Sequence, residues 1–315
     1  MRLNCLNPAL WEDIRLQTEL AEFDSLAGCL TNNRKFDIMK ATTSKGTRVL
    51  KTPLRYPGGK SRAIKKMQPF FPDLNKYNSF REPFLGGGSV ALWVSQTYPE
   101  LPVWVNDLHY PLYNFWVNLR DKGDNLKQDL LFLKSINDTQ DQARDLFNEA
   151  KAKLDDADDY QKAVYFYIIN KCSFSGLTES SSFSPQASVS NFSVRGIEKL
   201  DKYQEVIKDW KITNQSYETM LDAGFVYLDP PYEIGKNYLY GKKGSTHRGF
   251  DHDKFATDCN ATTADILISY NTSSTILDRF DGWKASTYDL TYTMRSTGNY
   301  MKDQGDRKEL LLYNY

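Results

Sequence analysis

The amino-acid sequence predicts an α/β fold whose sheet is interrupted by a largely helical insertion. Residues 78–107 read as a strand, a glycine turn, a helix and a second strand that ends at an acid, which is a nucleotide-binding βαβ pattern. Residues 111–220 show helix-like spacing and then a polar, serine-rich passage. Strand-like segments return after that passage. We therefore assign residues 51–110 and 221–315 to the sheet domain, and 1–50 to an N-terminal extension.

Each element of the sheet domain has its own signal. The first strand is the apolar run that reaches Phe84, and a helix is predicted over Ser89–Tyr98. Short apolar segments bounded by polar residues predict the remaining strands at Val103–Val105, Phe225–Leu228, Ile266–Tyr270, Trp283–Tyr288 and Glu309–Tyr313. In the insertion, residues 124–170 have the spacing of helices.

Composition places the chain among ordinary water-soluble globular proteins. Of its 315 residues, 40% are hydrophobic and 25% are charged, and the formal net charge is +0. The sequence shows neither an apolar run long enough to cross a membrane nor a signal-peptide pattern. Its four cysteines lie far apart and three histidines accompany them, so we expect no metal site and reduced thiols. The cytoplasm is the expected location.

A glycine-rich turn lies in the segment Arg81–Ser89, after the first predicted strand. Gly86, Gly87 and Gly88 let the backbone turn sharply, and the helix that follows would offer free amide groups to a ligand. Asp107 comes 21 positions after Gly86, where a carboxylate would accept hydrogen bonds from ribose hydroxyls. The pattern favours an adenosine-containing cofactor. It departs from Gly-x-Gly-x-x-Gly and so does not by itself select a nicotinamide cofactor.

The tetrapeptide Asp229-Pro230-Pro231-Tyr232 follows the strand predicted at Phe225–Leu228. Two consecutive prolines hold the backbone extended and remove two amide donors, which leaves the preceding carbonyls as fixed acceptors. An acid, rigid carbonyls and an aromatic face together suit the binding of a planar base that carries an amino group. A structural turn would explain the prolines alone, but not the acid, the tyrosine and the strand together.

The third motif is Tyr56-Pro57-Gly58-Gly59-Lys60. Taken alone, it would suit an ordinary loop. With the other motifs, the chain resembles the Dam-like family of adenine-specific DNA methyltransferases, in the α arrangement of motifs. The resemblance covers residues 53–315 and rests on the order of the segments Tyr56–Lys60, Glu82–Ser89, Asn106-Asp107, Asn170–Leu177, Asp229–Tyr232 and Arg307–Tyr315. Two departures are Pro57, where relatives often have Ala, and a recognition loop that is serine-rich instead of basic, which leaves the recognised DNA sequence open.

This resemblance implies a Rossmann-like, S-adenosylmethionine-dependent methyltransferase sheet with an inserted, mainly helical target-recognition domain. The implied activity is transfer of a methyl group from S-adenosylmethionine to the exocyclic amine of adenine in a short DNA sequence, by base flipping and direct displacement. The implied catalytic residues are Asp229, Pro230, Pro231 and Tyr232. The implied cofactor contacts are Tyr56, Lys60, Glu82, Phe84, Gly86, Gly88, Asp107 and Asp229.

Double-stranded DNA is the expected partner, although the net charge carries no global signature of nucleic-acid binding. Local basic residues of the insertion and of the region after the tetrapeptide are candidates for phosphate contacts. They are Arg195, Lys199, Lys236, Lys242 and Arg248. A monomer is expected, and a partner restriction endonuclease is left open.

Three other interpretations of the sequence stay open. An RNA base methyltransferase could use the same tetrapeptide, and methyl transfer to RNA compared with duplex DNA would separate the two. A DNA-binding module that has lost catalysis would bind the cofactor without turnover, although the intact Asp229 and Tyr232 speak against it. A cytosine amine ranks low as the target, because related enzymes usually have Ser in place of Asp229.

Overall fold

The computed structural model describes residues 49–176, 181–233, 249–289 and 308–315. Its centre is a seven-stranded sheet with the order β3-β2-β1-β4-β5-β7-β6. The strands are β1 Phe80–Glu82, β2 Val103–Asn106, β3 Lys211–Thr213, β4 Phe225–Leu228, β5 Asp265–Asn271, β6 Lys284–Asp289 and β7 Lys308–Tyr313. β3, β2, β1, β4 and β5 run parallel, whereas β7 is antiparallel to both β5 and β6. The predicted α/β fold is confirmed.

The helices cover the sheet and build most of the insertion. In chain order they are α1 Ile64–Met67, α2 Ser89–Thr97, α3 Tyr110–Ile136, α4 Gln140–Lys153, α5 Asp159–Cys172, α6 Pro185–Ser190, α7 Val194–Ile197, α8 Leu200–Ile207, α9 His252–Ala261 and α10 Ser274–Arg279. α3 bends at Lys122, whose φ of −136° is not helical. The side chain of Gln204 in α8 enters the bend and donates to the Arg120 carbonyl at 3.2 Å. Gly123 leaves room for it there, since a Cβ would lie 2.7 Å from the Gln204 amide oxygen.

The serine-rich passage contains regular structure, which differs from the expected polar loop. Ser184 accepts a hydrogen bond from the Ala187 amide and begins α6, and Ser193 caps α7 through the Gly196 amide. Serine is a favoured N-cap because its hydroxyl satisfies an amide that has no partner within the helix. Helices this short escape a search for apolar periodicity, which needs several turns.

β3 is the strand that the sequence did not predict. It has three residues, and of these Ile212 is buried while Lys211 is exposed. It nevertheless pairs with β2, with Ile212 opposite Val105. Residues 211–213 therefore belong to the sheet, although the predicted insertion extends to residue 220. The extension 1–50 lies outside the described residues, apart from Val49 and Leu50.

The insertion packs directly against the glycine turn of the sheet domain. Trp116 of α3 is fully buried, and its indole N–H donates to the Gly86 carbonyl at 3.2 Å. Trp210, which precedes β3, lies 5.7 Å from Trp116 between ring centroids and donates to the Ser95 hydroxyl at 2.7 Å. This packing ties the start of the insertion to the turn that follows β1.

In the described part of the chain, no helix combines the length and the apolar character that a membrane crossing requires.

Candidate active site

The candidate site lies at the carboxyl edge of the parallel strands. β1 is paired with β2 on one side and with β4 on the other. The loops that follow these three strands therefore meet at one edge of the sheet, where α/β proteins bind their ligands. These loops carry the glycine turn, Asp107 and the tetrapeptide Asp229–Tyr232. Strand order thus assembles three segments that are far apart in the sequence.

The glycine turn adopts a backbone that other residues would strain. Gly86 has φ of 50° and Gly88 has φ of 65°, both in the left-handed region. A Cβ on Gly88 would lie 2.8 Å from the Trp116 ring, and one on Gly86 would lie 2.9 Å from the Tyr56 ring. Glycine is therefore required by conformation and by space. Gly88 is also the N-cap of α2.

Asp107 fastens the glycine turn to the end of β2. One carboxylate oxygen accepts a hydrogen bond from the Gly86 amide at 2.8 Å, and the other accepts from the His109 amide at 2.9 Å. Burial raises the pKa of Asp107, and the two amide bonds oppose that rise. The acid thus has a structural task in the turn, and its remaining lone pairs are available for the ribose hydroxyls of a nucleoside.

Glu82 is a second buried acid, at the end of β1. Its side chain is 3% exposed and accepts a hydrogen bond from the Ala91 amide of α2 at 2.7 Å. Burial raises the pKa of Glu82 well above its usual range, and the nearby negative charge of Asp229 adds to this rise. The protonated form is therefore favoured more in the folded protein than in the unfolded chain.

Replacing Glu82 by Gln is expected to reduce the pH dependence of stability. A carboxyl whose pKa is raised by folding stabilises the fold at low pH, and this contribution is lost as the pH rises through the folded pKa. Glutamine stays neutral and can still accept from the Ala91 amide. Urea unfolding measures this effect. Between about pH 5 and about pH 8, the free energy of unfolding should fall less for Glu82→Gln than for wild type. Equal losses in both proteins would contradict this assignment.

Lys60 and Asp229 form a buried ion pair in the centre of the site. The ammonium nitrogen lies 2.7 Å from both carboxylate oxygens of Asp229 and donates to the Gly58 carbonyl at 3.1 Å. The side chain of Lys60 is 3% exposed, whereas that of Asp229 is 21% exposed. Burial raises the pKa of Asp229, Lys60 opposes the rise, and the charge of Glu309 adds to it. Asp229 is thus an accessible acid whose charge depends on its neighbours.

The ring of Tyr232 is held by residues from two other strands. It stacks on Tyr270 of β5, with 5.9 Å between ring centroids and an interplanar angle of 27°. Its hydroxyl donates to Glu309 of β7, which is 4% exposed. The ammonium of Lys60 lies 5.1 Å from the centroid of the Tyr232 ring. Tyr232 therefore sits beside the Lys60–Asp229 pair in a defined orientation.

The loop Tyr56–Lys60 is braced by the insertion. The Asn170 side chain of α5 accepts from the Arg55 amide at 2.9 Å and donates to the Arg55 carbonyl at 2.6 Å. The Arg55 guanidinium donates to the Ser173 carbonyl at 2.8 Å. The Asn170 region therefore contacts Arg55, the residue directly before the Tyr56–Lys60 motif, although the resemblance treats the two segments as separate.

Phe84 belongs to an aromatic cluster beside the glycine turn. Its ring stacks on Tyr217 with 5.5 Å between centroids, and meets Phe250 and Phe255 edge to face. Phe84 remains partly exposed. The cluster forms an apolar, aromatic boundary of the site that could contact a planar ring.

The structure brings most of the predicted site residues to one place. Gathered at the sheet edge are Tyr56, Lys60, Glu82, Phe84, Gly86, Gly88, Asp107, Asp229, Pro230, Pro231 and Tyr232. Arg195 lies in α7 and Lys199 precedes α8, so both belong to the insertion. Lys236, Lys242 and Arg248 lie outside the described residues.

Sequence reasoning did not single out Glu309, Tyr270 or Tyr217 as site residues. Glu309 had a signal that could have been used, because it is an acid inside the otherwise apolar strand β7. Tyr270 and Tyr217 had none, because their positions depend on contacts with rings far away in the sequence.

Comparison with known proteins agrees with this geometry. A family model described as D12 class N6 adenine-specific DNA methyltransferase matches residues 56–294. The chain is 26% identical over 200 residues to the Type II methyltransferase M.MjaIII of Methanocaldococcus jannaschii, covering 57% of this chain and 68% of the relative. It is 23% identical over 278 residues to the Type II methyltransferase M1.LlaDCHI of Lactococcus lactis subsp. cremoris, covering 83% of this chain and 94% of the relative.

Proposed function

The chain belongs to the D12 class N6 adenine-specific DNA methyltransferase family and methylates adenine in DNA, and from this premise we propose how its site works. The methyl donor is S-adenosylmethionine, and the acceptor is the exocyclic amine of an adenine in a short sequence of duplex DNA. The observation that carries this proposal is the position of Asp229. It follows β4 directly, beside the glycine turn and before two prolines that fix the backbone.

The site fits an adenosine-bearing cation. Glu82 is buried and Asp107 and Asp229 are partly buried, and desolvation raises the pKa of all three acids. A sulfonium and an ammonium group entering the site would offset this negative charge. Gly86 and Gly88 let the turn pack directly against the rings of Tyr56 and Trp116, where a Cβ would clash. Asp107 would hold the ribose, while Tyr56, Lys60 and Phe84 would line the remainder of the site.

Asp229 and the Pro230 carbonyl would accept the two hydrogens of the adenine amine. The amine is a poor nucleophile because its lone pair is delocalised into the ring, and two acceptors return electron density to the nitrogen. A carboxylate has about four lone-pair sites, so Asp229 can receive the amine while it keeps its contact with Lys60. Asp229 would thus act by orientation and electrostatics.

S-adenosylmethionine supplies an electrophilic methyl group when it is bound. Asp229 and the Pro230 carbonyl would hold the amine nitrogen toward that methyl carbon, and the electron pair of the broken carbon–sulfur bond would leave with sulfur as a neutral thioether. The nitrogen then releases its extra proton toward Asp229 or solvent. This direct displacement requires no covalent enzyme intermediate.

The target base must leave the duplex, because base pairing shields its amine. Extrusion costs a few kcal/mol, and stacking on Tyr232 would recover about 1–3 kcal/mol of this. The insertion would read the DNA sequence, with Arg195 and Lys199 as phosphate contacts. Lys236, Lys242 and Arg248 stay candidates for the same role. The catalytic domain would comprise residues 51–110 and 221–315, and β3 adds residues 211–213 to its sheet.

Two relatives carry the name Type II methyltransferase. Their names support the further proposal that this enzyme protects DNA beside a partner restriction endonuclease, in the cytoplasm of a bacterial or phage-infected cell. We expect it to act as a monomer.

Expression in a bacterium that lacks adenine methylation should place methyl-adenine within one short DNA sequence. Long-read sequencing of the host DNA detects the modified base and reveals the recognition sequence together. The matched culture expressing Asp229→Ala should show none. If a soluble, cofactor-binding wild-type protein left DNA unmodified and methylated RNA instead, the RNA alternative would replace this proposal.

A further inference from the structure

We propose that Glu309 is a positioning residue for methyl transfer: its carboxylate holds the Tyr232 hydroxyl and so fixes the ring that receives the extruded adenine. This inference rests on the proposed function, because it takes Tyr232 as the stacking partner of the target base. Glu309 lies on the last strand of the sheet, 77 positions after Tyr232. It would therefore give β7 a direct task in the reaction.

The strand order explains how Glu309 reaches the site. β7 runs antiparallel between β5 and β6, and Glu309 is opposite Asn271 on one side and Tyr288 on the other. Asn271 ends β5 at the same edge of the sheet as Asp229. Glu309 is 4% exposed, and its carboxylate meets the Tyr232 hydroxyl of the tetrapeptide. A buried acid on an apolar strand costs stability unless it has partners, and Tyr232 is one of them.

The Tyr232 hydroxyl lies between two carboxylates but carries one hydrogen. In the structure it donates that hydrogen to Glu309. The hydroxyl also lies near enough to Asp229 to lower the pKa of that acid through hydrogen bonding. Glu309 and Asp229 therefore compete for the same hydrogen. When Glu309 takes it, the oxygens of Asp229 stay available for Lys60 and for the adenine amine.

Glu309 and Tyr270 restrain different motions of Tyr232. The stacked ring of Tyr270 occupies one face of Tyr232, so that face is closed to an adenine. The hydrogen bond to Glu309 restrains the far end of the ring against rotation. Together the two contacts hold the Tyr232 ring in one orientation. This ring is then pre-organised to receive the extruded adenine.

A double-mutant cycle tests this role, with Tyr232→Phe as the matched partner of Glu309→Ala. Both variants remove the same hydrogen bond, and Tyr232→Phe keeps the ring. Each should lower kcat by about three- to tenfold, the loss expected for one hydrogen bond, and the KM for S-adenosylmethionine should not change. The double variant should be no slower than the worse single variant, because the shared bond can be lost only once.

Fluorescence provides a readout that a structural role would not move. The target adenine of the recognition sequence is replaced by 2-aminopurine, whose emission is quenched by stacking. The duplex bound to Glu309→Ala should be brighter than the duplex bound to wild type, because the loosened ring stacks less on the extruded base.

The pH profile adds a test with Glu309→Gln, which keeps the size of the side chain and an acceptor for the Tyr232 hydroxyl. The negative charge of Glu309 raises the pKa of Asp229, whereas the Tyr232 hydroxyl lowers it. Activity requires ionised Asp229 and is lost as the pH falls through its pKa. Glu309→Gln should therefore move the acid limb of kcat to lower pH, and Tyr232→Phe should move it to higher pH.

The results that overturn the proposal are specific. A folded Glu309→Ala with wild-type kcat and wild-type emission would leave Glu309 with a structural role alone. The same conclusion would follow if the kcat losses of the two single variants multiplied in the double variant. If Glu309→Gln left the acid limb of the kcat profile at its wild-type pH, the charge of Glu309 would not influence the pKa of Asp229. If wild type itself formed no methyl-adenine, the proposed function would be wrong instead, and the two failures are thereby distinguished.

Discussion

Replacing Asp229 by Asn should lower kcat for DNA methylation by about 10²–10³-fold, which is the usual loss when one pre-organised electrostatic group is removed. The amide keeps the shape of the carboxylate but loses its charge, and one of its two ends becomes a donor. That end would face either the Lys60 ammonium or the adenine amine, both of which are donors. Single-turnover methylation of an oligonucleotide with bound cofactor measures the chemical step directly.

A matched control for this variant is Asp222→Asn. Asp222 also forms an ion pair, with Arg81, but its side chain is 76% exposed. It precedes β4, whereas the tetrapeptide follows the other end of that strand. The same chemical change at Asp222 should leave kcat unchanged. Thermal unfolding of both variants shows whether the protein is folded at the assay temperature, since removing one partner from the buried Lys60–Asp229 pair also costs stability. Asp229→Asn that kept more than about a tenth of wild-type kcat would exclude Asp229 as the main acceptor of the amine.

Replacing Asp107 by Asn should weaken the binding of S-adenosylmethionine by about 5- to 150-fold, the equivalent of about 1–3 kcal/mol for a buried donor left without an acceptor. The two carboxylate oxygens accept from the Gly86 and His109 amides. An asparagine has one accepting oxygen, so its NH₂ group must face one of these amides. The glycine turn would then shift away from its binding conformation. Isothermal titration with S-adenosylmethionine gives the affinity without requiring turnover.

Asp73→Asn is the control for the Asp107 variant. Asp73 caps a short 3-10 turn through one oxygen, which accepts from the Asn75 amide at 3.2 Å, and this contact is exposed. Asparagine is an equally good cap, so the same substitution there should change neither stability nor cofactor affinity. Unchanged affinity in folded Asp107→Asn would show that neither the turn nor the ribose contact depends on this acid.

The sequence by itself determined the fold class and most of the candidate site. Asp107 and Asp229 each follow a recognisable strand, and the carboxyl ends of parallel strands meet at one edge of a sheet. The order of the motifs then identified the family, which the comparisons confirm for residues 56–294. Glycine at positions 86 and 88 also had a local reason, because these residues adopt positive φ. These features are local in the chain, and local patterns are what a sequence displays directly.

Other features were decided by the tertiary structure alone. β3 has three residues, which are too few for an alternation to be recognised, so its place beside β2 depends on pairing and not on its own propensity. The bracing of Arg55 by Asn170 joins residues 115 positions apart. Glu309 meets Tyr232 because β7 enters the sheet antiparallel between β5 and β6. The raised pKa values of Glu82 and Asp229 likewise follow from burial and neighbouring charge, which depend on how distant segments pack.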